Sequence, residues 1–289
     1  MNWKLGVLLA LTLSGCLRDL RPSELRGGIS QESAARGRAL LHRSADVHGY
    51  AAWQRYETTA VTLRDDWDSV MATMMGVHPG WDVEDRMQFQ WTNGGFDGAY
   101  VFETGERAGE VLGLQNWRTY DGNSAGRRTF HEEDDQDDDA YFMVPAVAFL
   151  LELPFRLRDV PVVAYLGEEE RFGRMHHKVY ASWSNEPSAD HDQFVVYIDA
   201  ETFVQSAVVY TVREQFRFVR GTSTYTRHQR VGGVLVPSRM SVTPRLRDSH
   251  DTRFMHRMVL WDWRFDEVPL RSLRPRADLG DGDIKPLEP

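Results

Sequence analysis

The sequence predicts a mainly β chain with a helical minority: an antiparallel meander of about eleven strands, led by one helix and interrupted midway by one apolar helical segment. Three observations carry this. Apolar and polar residues alternate with a period of two in short stretches over most of the chain, as in Met87, Phe89 and Trp91 against Gln88 and Gln90. Turn chemistry that supplies positive φ separates the stretches, at Asn93-Gly94-Gly95, Asp121-Gly122-Asn123 and Gly232-Gly233. A parallel sheet would need a helical crossover between successive strands, and the helical signals are too few for that.

The N-terminal element is an address. Met1-Asn2-Trp3-Lys4 is weakly basic, residues 5–13 are apolar, and Leu13-Ser14-Gly15-Cys16 resembles the lipobox that is cut before an acylated cysteine. Residues 1–15 are therefore expected to be a lipoprotein signal peptide, and Cys16, the single cysteine, its lipidation site. The apolar run is about half the roughly 20 residues a membrane-spanning helix needs, so attachment should rest on acyl chains. Acylation of Cys16 leaves no thiol for a disulfide framework. Leu17 rather than aspartate follows the cysteine, which by resemblance to the enteric sorting rule implies the outer membrane, facing the periplasm.

Residues 16–29, with Arg18, Arg21 and Arg26 and a Gly27-Gly28 end, read as the lipidated cysteine and a flexible tether. Roughly 270 residues remain after processing, enough for one β domain, expected over 30–265. The formal charge of −9 becomes −10 when Lys4 is lost, and an acidic chain is a poor nucleic-acid partner.

From Ser30, the residues Ala34, Ala35, Ala39, Leu40, Leu41, Ala45 and Val47 recur at spacings of three and four, which predicts an amphipathic helix ending at Gly49. Tyr50 to Tyr56 adds a short helical turn. Strands are then expected around Val61–Leu63, Met87–Trp91, Tyr100–Phe102, Val111–Trp117, Val162–Gly167, Val179–Trp183, Phe194–Ile198, Val204–Val212, Thr222–His228, Val234–Val242 and Phe254–Trp263. Tyr141 to Leu157 is apolar nearly all round, with Pro145 and Pro154 near its ends, and predicts helix covered on most of its surface. It either plugs the core of an open sheet or lids a cavity. From Asp266 the prolines and charges predict an extended or disordered tail over 266–289.

The leading helix with its His48-Gly49 ending, the first strand near Val61, the apolar helical interruption and the strand-turn-strand Phe194-Val195-Val196-Tyr197-Ile198-Asp199-Ala200-Glu201-Thr202 together resemble the LolA/LolB-type lipoprotein-carrier superfamily over about 30–264. The resemblance implies an incomplete antiparallel β-barrel around a hydrophobic cavity closed by helices. It also implies a membrane partner and a hydrophobic ligand or lipoprotein cargo. The receptor of that superfamily is itself a lipoprotein, so Cys16 matches the receptor side. Candidate cavity or lid residues are Phe142, Val147, Phe149, Leu150 and Leu153 on the helical segment, with Phe89, Trp91 and Trp183 on the strands.

Motifs for chemistry are sparse. The acidic run Glu132-Glu133-Asp134-Asp135-Gln136-Asp137-Asp138-Asp139 invites calcium, yet an EF-hand loop from Asp135 would place Ala140 where glycine is needed and Ala146 where the bidentate glutamate is needed. It reads as a solvated loop. Adjacent His176 and His177 face opposite sides of a strand, and Asp190-His191-Asp192 reads as a polar hairpin end. There is no zinc-protease spacing or phosphate loop, and no catalytic, metal or cofactor site is expected. The function expected is a non-enzymatic envelope lipoprotein that binds a lipid, acyl chain or other hydrophobic molecule. The alternative is a structural or partner-binding envelope lipoprotein with a filled barrel.

Overall fold

Helix α1, Gln31–His48, leads the sheet and is capped at both ends by its own sequence. The Ser30 hydroxyl accepts from the Ser33 amide at 3.2 Å, and Gly49 closes the helix in the left-handed region at φ 94°. A Cβ at Gly49 would also stand 2.2 Å from the Gly233 carbonyl oxygen, so only glycine fits there. The computed structural model describes residues 18–68, 70, 79, 81–213, 216–248 and 254–280; Cys16 and the segment before it lie outside them.

A one-turn helix α2, Tyr50–Trp53, follows, and then β1, Thr58–Trp67; β2, Met87–Thr92; β3, Gly98–Phe102; β4, Glu110–Gln115; β5, Arg118–Asn123; and β6, Arg128–Phe130. Two helices come next, α3, Asp138–Leu151, and α4, Leu153–Arg156. The second run of strands is β7, Val162–Arg171; β8, Arg174–Ser182; β9, Gln193–Asp199; β10, Gln205–Val212; β11, Phe216–Thr226; β12, Gln229–Val231; β13, Val234–Val236; β14, Arg239–Thr243; and β15, His256–Phe265. Helix α5, Leu270–Leu273, ends the series with a 3-10 turn.

Among the described residues thirteen strands form one antiparallel sheet in the order β6-β5-β4-β3-β2-β1-β15-β14-β11-β10-β9-β8-β7, while β12 and β13 make a separate hairpin. The pairing of β1 with β15 joins the two halves in the middle, which leaves β6 and β7 as unpaired edges. The sheet is therefore an incomplete barrel, and residues 131–161 carry the chain from one edge to the other as α3 and α4. Alternate residues face inward: Val61, Leu63, Met87, Phe89, Trp91, Val179, Ala181, Val196 and Ile198 are all buried in one cluster.

Two helices cover the concave face. Helix α1 packs on β7 and β8, and α3 packs on β3, β4 and β5. Arg38 donates to the carbonyls of Val160 and Pro161, and the Ser33 hydroxyl donates to the Tyr165 carbonyl at 3.0 Å, so α1 satisfies carbonyls beside the open edge at β7. Helix α3 begins where the acidic run ends: the Asp137 carboxylate accepts from the Ala140 amide at 2.7 Å, and Asp138 and Asp139 lie in the first turn. Those three residues thus complement the helix N-terminus instead of forming part of a solvated loop.

Several expected elements resolve differently. The strand predicted over Val111–Trp117 is β4 plus a tight turn at Asn116 and Trp117, whose φ values of 45° and 61° match a type I′ hairpin. Asp121-Gly122-Asn123 lies inside β5 rather than in a turn. The strand predicted over Val234–Val242 is broken by Pro237 into β13 and β14, because proline has no amide for a ladder.

The ends of the domain are also docked. The sequence predicts a tether over 16–29, but residues 18–29 lie along the outer face of the sheet, with Leu20 against Tyr197, Ala207 and Val209, and with Leu25 and Ile29 against Val162, Ala164 and Tyr180. Of the tail predicted over 266–289, the described residues 266–280 pack back too. The Asp266 carboxylate accepts from the amides of Glu57 and Thr58, Leu273 is buried, and Arg274 pairs with the buried Asp97 at 2.6 Å.

Candidate functional site

The concave face under α3 is the place where the fold must be filled or occupied. Of the expected residues, Val147, Leu150, Leu153, Phe89 and Trp91 are buried there, and Phe142 is half-buried against the same cluster. Phe89 stacks on Trp91 at 4.8 Å and on Tyr100 at 4.5 Å between ring centroids. Phe149 is half-buried and turns to Phe194 and Trp183 at 5.4 and 6.1 Å, so Trp183, which is 36% exposed, stands at the margin of the core.

Among the described residues a cavity of about 20 Å³ lies against the α3–α4 junction, room for roughly one water molecule. Ligand pockets for small molecules are roughly 300–1,000 Å³. Leu150 and Trp91 are the only expected residues on its wall; the rest comes from α1 to α4, β1, β10, β11, β13, β15 and the turns beside them, with Trp53, Phe155, Tyr225, Val236 and Trp263 among the apolar contributors.

The polar centre of this region was missed by the residues singled out from sequence. Glu152, between α3 and α4, is 2% exposed and its carboxylate is fully used. Oε1 accepts from the indole N–H groups of Trp53 and Trp91, both at 3.0 Å. Oε2 accepts from the Gly94 amide at 3.1 Å and pairs with Arg156 Nε at 2.9 Å. The Arg156 guanidinium in turn donates to the carbonyls of Gly94 and Gly95 and lies 4.8 Å from the Phe96 ring. One buried ion pair therefore fastens the α3–α4 junction to α2, β2 and the turn after β2. The i,i+4 spacing of Glu152 and Arg156 at the end of an apolar run was the available signal. The Tyr225 hydroxyl adds a bond to the Leu150 carbonyl at 3.0 Å.

Two histidines share the cavity wall, with ring centroids 5.8 Å apart. His48 Nε2 accepts from the Gln205 amide at 3.1 Å, so its proton resides on Nδ1, which donates to the Leu235 carbonyl at 3.2 Å. Burial first, and His228 second, push His48 down to about 3; burial alone pushes His228 down to about 4. Neither is poised to exchange protons at neutral pH.

The other titratable candidates do not converge. His176 bonds the Arg174 carbonyl and the Ser206 hydroxyl, whereas His177 meets Glu168. His191 meets the Ser188 hydroxyl, and Asp192 accepts from Thr211 and the Arg213 amide. Among the described residues no three His, Cys, Asp or Glu side chains group as a metal site, and no helix is long and apolar enough to cross a membrane.

Removing one member of a buried pair leaves an uncompensated charge, so Arg156→Ala should lower the unfolding free energy by about 3 kcal/mol in urea melts. Arg86→Ala, at the solvent-exposed pair with Glu103, should cost less than about 1 kcal/mol. The depressed histidines set a pH dependence. An unfolded histidine protonates near 6.5, so between that value and about 4 (His228) or 3 (His48) the unfolded chain binds more protons than the folded one. Stability is then full above pH 6.5 and declines with acidification by about 1.4 kcal/mol per pH unit for each histidine. Urea midpoints taken from about pH 7 to 4.5 should show this slope, halved in His228→Gln; a flat profile contradicts it.

No family model matches the chain, and no curated protein sequence matches it. Solved structures do. An outer-membrane lipoprotein-sorting protein domain from Vibrio parahaemolyticus superposes with a TM-score of 0.51 at 13% identity, over 85% of this chain and 99% of that one. A LolA superfamily protein from Nitrosomonas europaea is similar with a TM-score of 0.45 at 10% identity, over 83% of this chain and 96% of that one. With its sheet left open between β6 and β7 and its concave face covered by α1 and α3, the chain has a LolA/LolB-like fold.

Proposed function

We propose that the chain is a non-enzymatic lipoprotein of the cell envelope, acylated at Cys16 and held at the outer membrane facing the periplasm, which takes a lipid or other acyl-chain ligand between its sheet and α3–α4. One observation carries the reading. The element that fills the half-barrel, α3, is apolar on most of its surface yet shares no strand ladder with the sheet, and it is fastened at one junction by Glu152 and Arg156. It is the part of the core that leaves without breaking the sheet.

The energetics favour exchange over spontaneous opening. Helix α3 buries Met143, Val144, Val147, Leu150 and Leu151 among others, at roughly 1.5–3 kcal/mol for each large side chain, so exposing it to water costs on the order of 10 kcal/mol. An acyl chain of about 16 carbons, at about 0.8 kcal/mol per buried CH₂, returns a similar amount. The cover is therefore stable when closed and displaceable by a ligand of matching apolar surface. The polar groups nearby support binding rather than catalysis, since Glu152, Arg156 and His48 are committed to structural hydrogen bonds.

The small residual cavity favours a second reading, a structural or partner-binding envelope protein whose barrel is permanently filled. Native mass spectrometry after extraction in mild detergent separates the two. Ligand binding predicts a stoichiometric lipid adduct, restored by incubating stripped protein with phospholipid. Protein that stays lipid-free under both treatments contradicts the binding reading and leaves the filled barrel.

A further inference from the structure

The docking of residues 18–29 on the outer face fixes where the N-terminal chain leaves the domain. The Leu20 amide donates to Gln193 Oε1 at 2.7 Å, Asp19 is held by Arg21 and Gln193, and the Arg213 guanidinium donates to the Arg18 carbonyl. The described chain therefore begins on this face at Arg18, two residues after Cys16 in the sequence.

Strand register brings further arginines to the same place. Thr211 of β10 pairs with Arg220 of β11, one strand from Arg213, and Thr222 of β11 pairs with Thr243 of β14, which sets Arg245 abreast of Arg220. Arg18 and Arg245 are exposed and Arg220 is half-buried. None of the three has a carboxylate partner among the described residues: Asp19 is taken by Arg21, Asp192 by Thr211 and the Arg213 amide, and Asp248 by Arg171. Burial, and next Arg18 and Arg245, lower the Arg220 guanidinium from its ordinary value, as expected for a cation among cations. A chain with a formal charge of −9 thus keeps three uncompensated arginines together, next to the exit of its N-terminal segment.

We propose that Arg18, Arg220 and Arg245 form a membrane-docking face that seats the lipoprotein on anionic phospholipid headgroups, with the β10–β11–β14 end of the sheet turned to the bilayer. The proposal rests on the reading of Cys16 as acylated, and charge complementarity selects the occupant: about 1 kcal/mol is gained for each arginine near an anionic surface. It also sets an orientation. The cavity residues Thr59, Gln205 and Phe265 come from the opposite ends of β1, β10 and β15, and Pro237 lies just before β14 at that same end, so the cavity faces away from the membrane that holds the chain.

The test uses the full chain reconstituted with vesicles of phosphatidylglycerol and phosphatidylethanolamine, or of phosphatidylcholine alone, and reads phenylglyoxal modification of each arginine by mass spectrometry. Arg18, Arg220 and Arg245 should react roughly fivefold more slowly on the anionic vesicles, with the protection lost in high salt and exposed Arg55, at the other end of the sheet, unchanged. A chain bound to both vesicle types with equal rates overturns the docking face and leaves the anchor standing. Binding to anionic vesicles alone, with the three arginines protected, supports the face and removes the anchor; binding to neither overturns both. Equal protection by millimolar inorganic phosphate without vesicles marks a free-anion site and overturns the membrane as occupant.

Discussion

An antiparallel sheet of thirteen strands whose edges do not meet has an apolar concave face that its own backbone cannot cover. Every other feature follows from that gap. The chain has to travel from β6 to β7, and it does so across the concave face, so the connection is under pressure to be apolar and helical, with its backbone hydrogen bonds satisfied internally. The same constraint explains α1, which covers the other half of the face and supplies donors to carbonyls beside the open edge. The fold is an incomplete barrel because the connection occupies the space that closure would have claimed.

A cover that belongs to the core but to no ladder needs a fastening. Glu152 provides it with four donors on one carboxylate, drawn from α2, β2, the turn after β2 and its own helix partner Arg156. In the low dielectric of the interior such a fully satisfied group holds a single geometry, and it loses that advantage as a unit when one partner leaves. The buried histidines stay neutral, so the fastening and the cavity wall do not respond to modest changes around neutral pH.

The period-two pattern and the turn glycines made the antiparallel meander legible, and the apolar run at Tyr141 marked the cover. What escaped the sequence has physical reasons. Asn116-Trp117 makes a hairpin turn with a residue of large side chain at positive φ, stabilised by Phe96 and Tyr141 rather than by glycine. Pro237 divides a stretch whose hydrophobic pattern is continuous. The termini carry compositions typical of tethers and tails, yet a few contacts, Leu20, Leu273 and the Asp97–Arg274 pair, suffice to dock them. At the site the aromatic and aliphatic residues are legible in the sequence, whereas the carboxylate that organises them shows only its i,i+4 spacing to Arg156, because Trp53, Trp91 and Gly94 are brought to it by the fold from far along the chain.

The central claim is that α3–α4 is a displaceable cover and the sheet a permanent frame. Hydrogen exchange of the folded protein, followed with and without long-chain phospholipid, tests it most directly. The account predicts that lipid deprotects the amides of α3 and α4 while those of β1, β2 and β15 keep their protection. Unchanged exchange of α3 and α4 in the presence of lipid would contradict it.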